Sequence, residues 1–182
     1  MELKIDFNEP VKVSLSEQTV TVSKGDKSES KTFRCKNVVF SLDGNSLVLK
    51  GINSKKRTIS IMKTVRKQLA NLVLGLDKGY EYNLRVVFSH FPINLQVSGK
   101  FVIINNFGGE KKPRKAKIIG ENTKVEIKGK EITVTGSNSE HVGQTAANLE
   151  RATKIKNKDL RVFQDSIYLL GKGTMHKGKG GA

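Results

Sequence analysis

Few residues in this 182-residue chain are of types that could do chemistry. Gly173-Thr174-Met175-His176-Lys177-Gly178-Lys179-Gly180 comes within one residue of a phosphate-binding loop. Such a loop needs a hydroxyl after its lysine, for magnesium, and a helix whose N-terminus meets the phosphates. Gly180 stands where the hydroxyl belongs and only Gly181-Ala182 follow, so a flexible cationic tail that threads along phosphates is the better reading. His90, His141 and His176 are scattered without metal-ligand spacing, and Cys35 has no second cysteine to share a zinc or a disulfide. Its neighbour Lys36 is one charge, too little to mark a reactive thiol. Ser54 and Ser139 occupy the same place in an internal repeat, which suits helix caps better than a single nucleophile. Asp165 has no histidine or carboxylate companion at a readable spacing. These groups assemble no active site. The chain is not expected to be an enzyme, and no cofactor, metal or small-molecule substrate is expected.

The cations are more informative. Lys55-Lys56-Arg57 falls where a first helical turn is expected, a place where positive charge opposes the helix dipole. Lys111, Lys112, Arg114, Lys115 and Lys117 are packed into seven residues with no acid, stiffened by Pro113. Lys154, Lys156, Lys158 and Arg161 form a third run. The net charge is +16, with sixteen cations against nine acids in residues 1–90 and seventeen against eight in 91–182. A polyanion is the expected partner, nucleic acid before an acidic membrane surface. With no tryptophan and 6% aromatic residues, stacking platforms for single-stranded bases are scarce. The expected mode is phosphate and shape reading of structured RNA. No apolar run reaches 18 residues, and the first ten residues carry Glu2, Asp6 and Glu9. Neither a membrane span nor a leader peptide is expected. One cysteine suits a reducing cytosol.

An internal duplication sets the elements that must position these charges. Asn37–Ser54 and Asn122–Ser139 align without a gap at an offset of 85 residues, with Asn37/Asn122, Gly44/Gly129, Gly51/Gly136, Asn53/Asn138 and Ser54/Ser139 identical. Phe40, Leu42, Leu47 and Leu49, and Val125, Ile127, Ile132 and Val134, alternate around Asp43-Gly44 and Lys128-Gly129, the pattern of a hairpin. The shared Gly-x-Asn-Ser then offers a helix cap. Ile59, Met62, Val65, Leu69, Leu72 and Val73 recur at helical spacing up to Gly75, and Val142, Ala146, Leu149 and Ala152 or Ile155 repeat the pattern. The fold class is therefore α+β: two tandem duplicated domains, each a small, mostly antiparallel sheet packed against one helix.

In chain order, Val11 to Val22 reads as a first hairpin and Lys24–Lys31 as a solvated loop or an extended hairpin tip. Tyr80–Ser89 reads as the last strand of the first domain, and His90-Phe91-Pro92 as the boundary. Ile93 to Val97 and Phe101 to Ile104 open the second domain, and Asn105–Lys117 is its basic loop, placed as Lys24–Lys31 is in the first. Arg161–Leu170 is expected to close it, as the counterpart of Tyr80–Ser89. The expected domains are 1–90, 91–170 and a flexible basic tail, 171–182.

Several strings taken together carry a resemblance: Gly79-Tyr80-Glu81-Tyr82 through Arg85; Ser89-His90-Phe91-Pro92-Ile93-Asn94; Asn106-Phe107-x-Gly-Glu110-Lys111; Asn157-Lys158-Asp159; and Arg161-x-Phe163-x-Asp165-x-Ile167-Tyr168. With them the chain, from Val11 to Lys172, resembles the universal large-subunit ribosomal protein six family in its eukaryotic and archaeal branch. Ser166 departs from it, standing where the family usually has glycine. The resemblance implies a structural component of the 60S-type subunit, partnered by large-subunit rRNA and neighbouring ribosomal proteins. It implies that the second domain binds rRNA near the sarcin–ricin loop, close to where the translational GTPases dock. Lys111, Lys112, Arg114, Lys115, Lys117, Lys158, Arg161 and the tail residues Lys172, Lys177 and Lys179 would neutralise phosphates there. A cytoplasmic ribosome, with nucleolar passage during assembly in a eukaryote, is the expected location. The alternative is a free structured-RNA-binding module or RNA chaperone, for which charge alone would serve equally well.

Overall fold

The computed structural model describes residues 2–7, 10–25, 27–88, 90–159, 161–170 and 174–175. The chain divides into two units, Met1–Asp77 and Lys78–Ala182. In the first, β1 (Glu2–Asp6), β5 (Val38–Asp43) and β6 (Ser46–Gly51) form an antiparallel sheet in the order β1-β6-β5. Beside it lies a meander of β2 (Val11–Ser16), β3 (Thr19–Lys24) and β4 (Lys27–Thr32). Helix α1 (Lys56–Lys78) buries Met62, Val65, Leu69, Leu72 and Leu76 with Leu47 and Leu49 of β6.

The second unit repeats the plan. A meander of β8 (Asn94–Ser98), β9 (Phe101–Asn105) and β10 (Arg114–Lys117) is followed by the hairpin β11 (Lys124–Lys128) and β12 (Glu131–Gly136), then α2 (Ser139–Ala152). The main sheet runs β11-β12-β7-β13, with β7 spanning Tyr80–Val87 and β13 Ser166–Leu169; the pair β14 (Thr174–Met175) also lies against β7. Leu84, Val134, Ile132, Val142, Leu149 and Ile167 form its core.

Three sequence expectations are corrected here, and one open alternative is decided. Tyr80–Ser89 does not close the first domain. Its strand lies at the middle of the second unit's sheet, between β12 and β13, so the units divide at 77/78, upstream of His90-Phe91-Pro92. The register identifies its twin: Ile5 pairs with Leu47, and Leu84 with Ile132, the repeat partner of Leu47. Thus β7 is the copy of β1, and β13, shorter than Arg161–Leu170, has no copy among the described residues of the first unit. Of the two readings of Lys24–Lys31, the extended hairpin tip is the one found: Lys27–Thr32 is a strand, although polar throughout, because its backbone completes the ladder of β3. The last four residues of the supposed basic loop, Arg114–Lys117, are likewise strand β10, paired with β9. Finally, α1 runs through Gly75, which is buried in it, and ends before Gly79 at φ 71°, the left-handed position that terminates helices.

The repeated residues do matching work. Gly44 and Gly129 take φ of 61° and 60° at the first of two turn positions, the glycine-first hairpin turn and not the Asp-Gly form. At Gly51 a Cβ would stand 3.0 Å from Thr58 Cγ2, and at Gly136 2.8 Å from Val142 Cγ2, so both glycines let a helix start close against its sheet. Asn138 caps α2, its Oδ1 accepting the Glu140 N–H at 3.0 Å; Asn53 Oδ1 accepts the Thr58 hydroxyl at 2.5 Å and the Lys55 N–H at 3.4 Å. Asn138, and not Ser139, is the cap of α2, whereas α1 starts later, at Lys56, with Lys55 O accepting the Ile59 N–H, so Asn53 ties the turn that precedes it.

Ser166 sits in regular strand pairing opposite Val87, a conformation that does not require glycine. Its hydroxyl lies 3.0 Å from Thr153 Oγ1 and donates to Thr153 O at 3.1 Å, while Thr153 Oγ1 accepts the Ile167 N–H at 3.0 Å. Thr153 is fully buried. Thr153→Val keeps the shape and orphans that N–H, and is expected to cost about 1–3 kcal/mol in urea unfolding. A loss within error would show that the hydroxyl bonds do not lock β13 to α2.

Candidate nucleic-acid interface

Three stretches far apart in the chain converge in the second unit: 90–93, 106–114 and the described residues of 152–165. The first two are joined where Asn106, in the left-handed conformation at φ 58°, donates from Nδ2 to Pro92 O at 3.0 Å. Phe107–Gly109 makes one 3-10 turn, and the Phe91 ring lies over Gly109, where a Cβ would come within 3.3 Å of it.

Arg114 ties this turn to the end of α2. Its Nε donates to Glu110 Oε2 at 2.9 Å and Nη2 to Oε1 at 2.5 Å, the bidentate pairing that a planar guanidinium favours. Nη1 donates to Ala152 O at 2.9 Å and Lys154 O at 3.5 Å, and the group stands 4.2 Å from the Phe107 ring centroid. Four contacts occupy most of its five donors. Arg114 is therefore a clamp within the protein, unlike the lysines around it. The Arg114 hydrogen bond, more than its charge, holds the Glu110 carboxyl below the usual range; burial opposes it slightly and Lys158 adds to it.

On the other side, the Lys158 ammonium lies 4.6 Å from the Phe163 ring centroid, and the His90 ring stacks on the same phenylalanine at 5.1 Å. His90 Nδ1 is 3.0 Å from Asp165 Oδ2, although 75 residues separate them, so Asp165 does have the histidine companion that its sequence surroundings did not reveal. The Asp165 side chain is 4% exposed and also accepts the His90 backbone N–H at 3.4 Å. This pair binds the irregular segment that leads into β13 to the segment that follows β7. Between the two sides is a cleft of about 80 Å³ lined by Phe107, Glu110, Arg114, Ile155, Lys156, Lys158, Phe163 and Asp165. Charge, the signal used on the sequence, could not identify Phe107, Glu110, Phe163 or the His90–Asp165 pair.

Exposed cations rim this structure. Lys115 and Lys117 point outward from β10, either side of the buried Ala116, and Lys111 and Lys112 precede it. Lys154, Lys156, Lys158 and Arg161 are exposed at the opposite wall. Arg161 Nε is 3.8 Å from Asp159 Oδ1, an exposed pair that leaves the guanidinium largely in solvent. Among the described residues no carboxylate pairs at contact distance with Lys111, Lys112, Lys115 or Lys117. The arrangement can bind a polyanion over two walls of a relief built from aromatic and hydrogen-bonded parts.

Lys55, Lys56 and Arg57 are exposed at the start of α1, whose first turn has no acidic residue, but they belong to the first unit. Lys172, Lys177 and Lys179, with most of the near phosphate-loop, lie outside the described residues. His141 lies on the first turn of α2, against Gly120, where a Cβ would stand 2.5 Å from its Nδ1. Burial pushes the Cys35 thiol upward, away from the thiolate. Among the described residues no group of three His, Cys, Asp or Glu could hold a metal, and no helix is long and apolar enough to cross a membrane.

Comparison with known proteins agrees with where these residues gather. The family model described as ribosomal protein L6 matches residues 91–166, the stretch that holds both walls of the cleft. Proteins named large ribosomal subunit protein uL6 resemble the chain nearly end to end. That of Methanosphaera stadtmanae is 44% identical over 92% of this chain and 91% of its own. That of Methanobrevibacter smithii is 43% identical over 93% and 94%. That of Thermoplasma acidophilum is 42% identical over 89% and 90%. Identity at this level, sustained through both copies of the duplication, extends the match beyond the cleft to the whole fold: the chain belongs to the ribosomal protein L6 family.

Proposed function

We propose that this chain is a structural protein of the large ribosomal subunit whose second unit binds folded rRNA across the rim of the cleft. The observation that carries the reading is the separation of roles among the cations. Arg114 is consumed in building the relief, while Lys111, Lys112, Lys115, Lys117, Lys154, Lys156 and Lys158 are exposed, Lys156 and Lys158 on the lining of the cleft itself. Phosphates of converging RNA helices would be neutralised on both walls, which fixes the protein's register by backbone shape and not by base sequence. Lys55, Lys56 and Arg57, with tail residues Lys172, Lys177 and Lys179, would add phosphate contacts beyond this surface. The resemblance read from the sequence favours a position near the sarcin–ricin loop, by the docking region of the translational GTPases. Such a role is architectural and its setting the cytoplasmic ribosome.

The test is sedimentation of a cell extract on a sucrose gradient, with subunits separated by magnesium removal and the protein followed by immunoblot. Comigration with the large subunit through a moderate-salt wash is expected. Recovery mainly at the top of the gradient would instead leave a free structured-RNA-binding module or RNA chaperone.

A further inference from the structure

The two copies of the duplication differ at one edge. In the second unit the outer edge of β7 is occupied by β13, which sets Ile167 opposite Val86 and Leu169 opposite Leu84. Leu84 and Val86 are 0% and 3% exposed. The register makes Ile5 the equivalent of Leu84, and Phe7, two residues on, the equivalent of Val86. Yet β1 ends its sheet, no strand of the described residues covers its outer side, and Ile5 and Phe7 are only partly buried. A cleft of about 520 Å³ opens at this place, walled by Ile5, Phe7 and the Arg66, Val73 and Leu74 face of α1.

Proteins commonly guard such an edge with charge. Here the charges of β1 are turned back onto its own sheet: Lys4 Nζ is 3.4 Å from Asp43, Lys50 Nζ is 3.5 Å from Glu2, and Asp6 accepts the Ser46 hydroxyl at 2.7 Å. Within the cleft Lys24 pairs with Asp77, whereas Arg66 is exposed and has no carboxylate at contact distance among the described residues.

We propose that the outer edge of β1 and the adjoining cleft form a β-augmentation site for an extended protein segment. That segment adds antiparallel to β1 as β13 adds to β7. It places aliphatic side chains opposite Ile5 and Phe7, and a carboxylate against Arg66. Backbone ladder bonds supply affinity in this mode, and the alternate side chains supply selectivity. RNA has no ladder to offer β1, and with Lys24 paired to Asp77 the cleft leaves Arg66 as a single cation for phosphate beside an apolar floor. The site is independent of the cationic cleft of the second unit and of the ribosomal reading.

The test uses the full chain and, as probe, a fluorescent peptide with the sequence of residues 163–170, followed by anisotropy and amide hydrogen exchange. Saturable binding with slowed exchange confined to β1 is expected. Leu74→Glu, at a side chain 36% exposed, puts a charge on the apolar floor and is expected to weaken binding at least about tenfold. Val39→Glu, 51% exposed on β5, should leave it unchanged. Tyr168→Pro within the peptide removes a ladder donor, since residues 168 and 170 and not 167 turn their N–H groups to the neighbouring strand, and should abolish binding without touching the protein. The proposal is overturned by absence of saturation up to about 1 mM peptide. Slowed exchange at β4, β5 or β7 in place of β1 would overturn it too. Protection of β1 by an rRNA fragment but not by peptide would assign the edge to RNA and overturn it as well.

Discussion

Replacing Lys111, Lys112, Lys115 and Lys117 together with alanine is expected to lower affinity for an rRNA fragment about 200- to 1,000-fold at 0.15 M salt. The magnitude follows from counterion release. Each neutralised phosphate contributes a slope of about −0.7 to −0.9 in log affinity against log salt, so four lost contacts change the slope by about 3 to 4. Carried from a 1 M reference to 0.15 M, that slope gives the stated loss. Folding should be little affected. All four side chains are exposed, none pairs with a carboxylate at contact distance among the described residues, and Ala116 between two of them keeps the strand anchored. The decisive measurement is a salt titration of binding by filter retention or anisotropy. A slope unchanged within one unit would show that these lysines meet solvent and not phosphate, and would remove this wall from the interface.

Arg114→Met is expected to do the opposite: destabilise the second unit by about 2 kcal/mol while leaving the salt slope of RNA binding near that of the parent chain. Charge-assisted hydrogen bonds contribute about 1.5–3 kcal/mol each in favourable settings, and partial exposure of this group reduces the sum. Methionine retains the packing on Phe107 but returns Glu110 and the carbonyls of Ala152 and Lys154 to water. Arg114→Lys should recover little, because a point charge cannot span a carboxylate and two carbonyls at once. Acid provides a second readout. The folded Glu110 carboxyl is depressed by Arg114, so its contribution is complete above the ordinary glutamate range, near pH 4.3, and is lost as pH falls through the lower folded value. In Arg114→Met that acid limb of the stability profile should flatten. An undiminished unfolding midpoint with a reduced salt slope would reverse the assignment and return Arg114 to the phosphate-binding set.

Much of this protein could be read from residue order, and the reason is the range of the interactions involved. Hairpins are local: the Leu47/Leu49 and Ile132/Val134 alternations and the turn glycines lie within a few residues of their partners, so the duplicated β5-β6 and β11-β12 pairs were legible. Helix caps are local too, which is why the repeated Gly-x-Asn-Ser placed the start of α2 at its Asn138 cap and that of α1 to within two residues. Charge is additive, so the three basic runs and the polyanion partner needed no fold at all. The motif strings were enough to carry the resemblance to the ribosomal family before any geometry was known.

Tertiary structure decided what depends on pairing across distance. Tyr80–Val87 is as β-rich as any strand in the chain, but nothing within it says whether it joins the hairpin before it or the one after. The answer lay in its ladder with β12, some fifty residues ahead, and it moved the boundary of the duplicated unit by one strand. Polar strands such as Lys27–Thr32 have no apolar alternation to announce them; a neighbouring ladder recruits them. The division of labour among the cations was equally hidden. Lys115 and Arg114 are adjacent and carry the same charge, yet strand alternation sends the first to solvent and turns the second inward to Glu110 and the end of α2. Sequence counts charges one by one, whereas only the folded chain shows which of them are already bound to protein and which stand exposed to solvent.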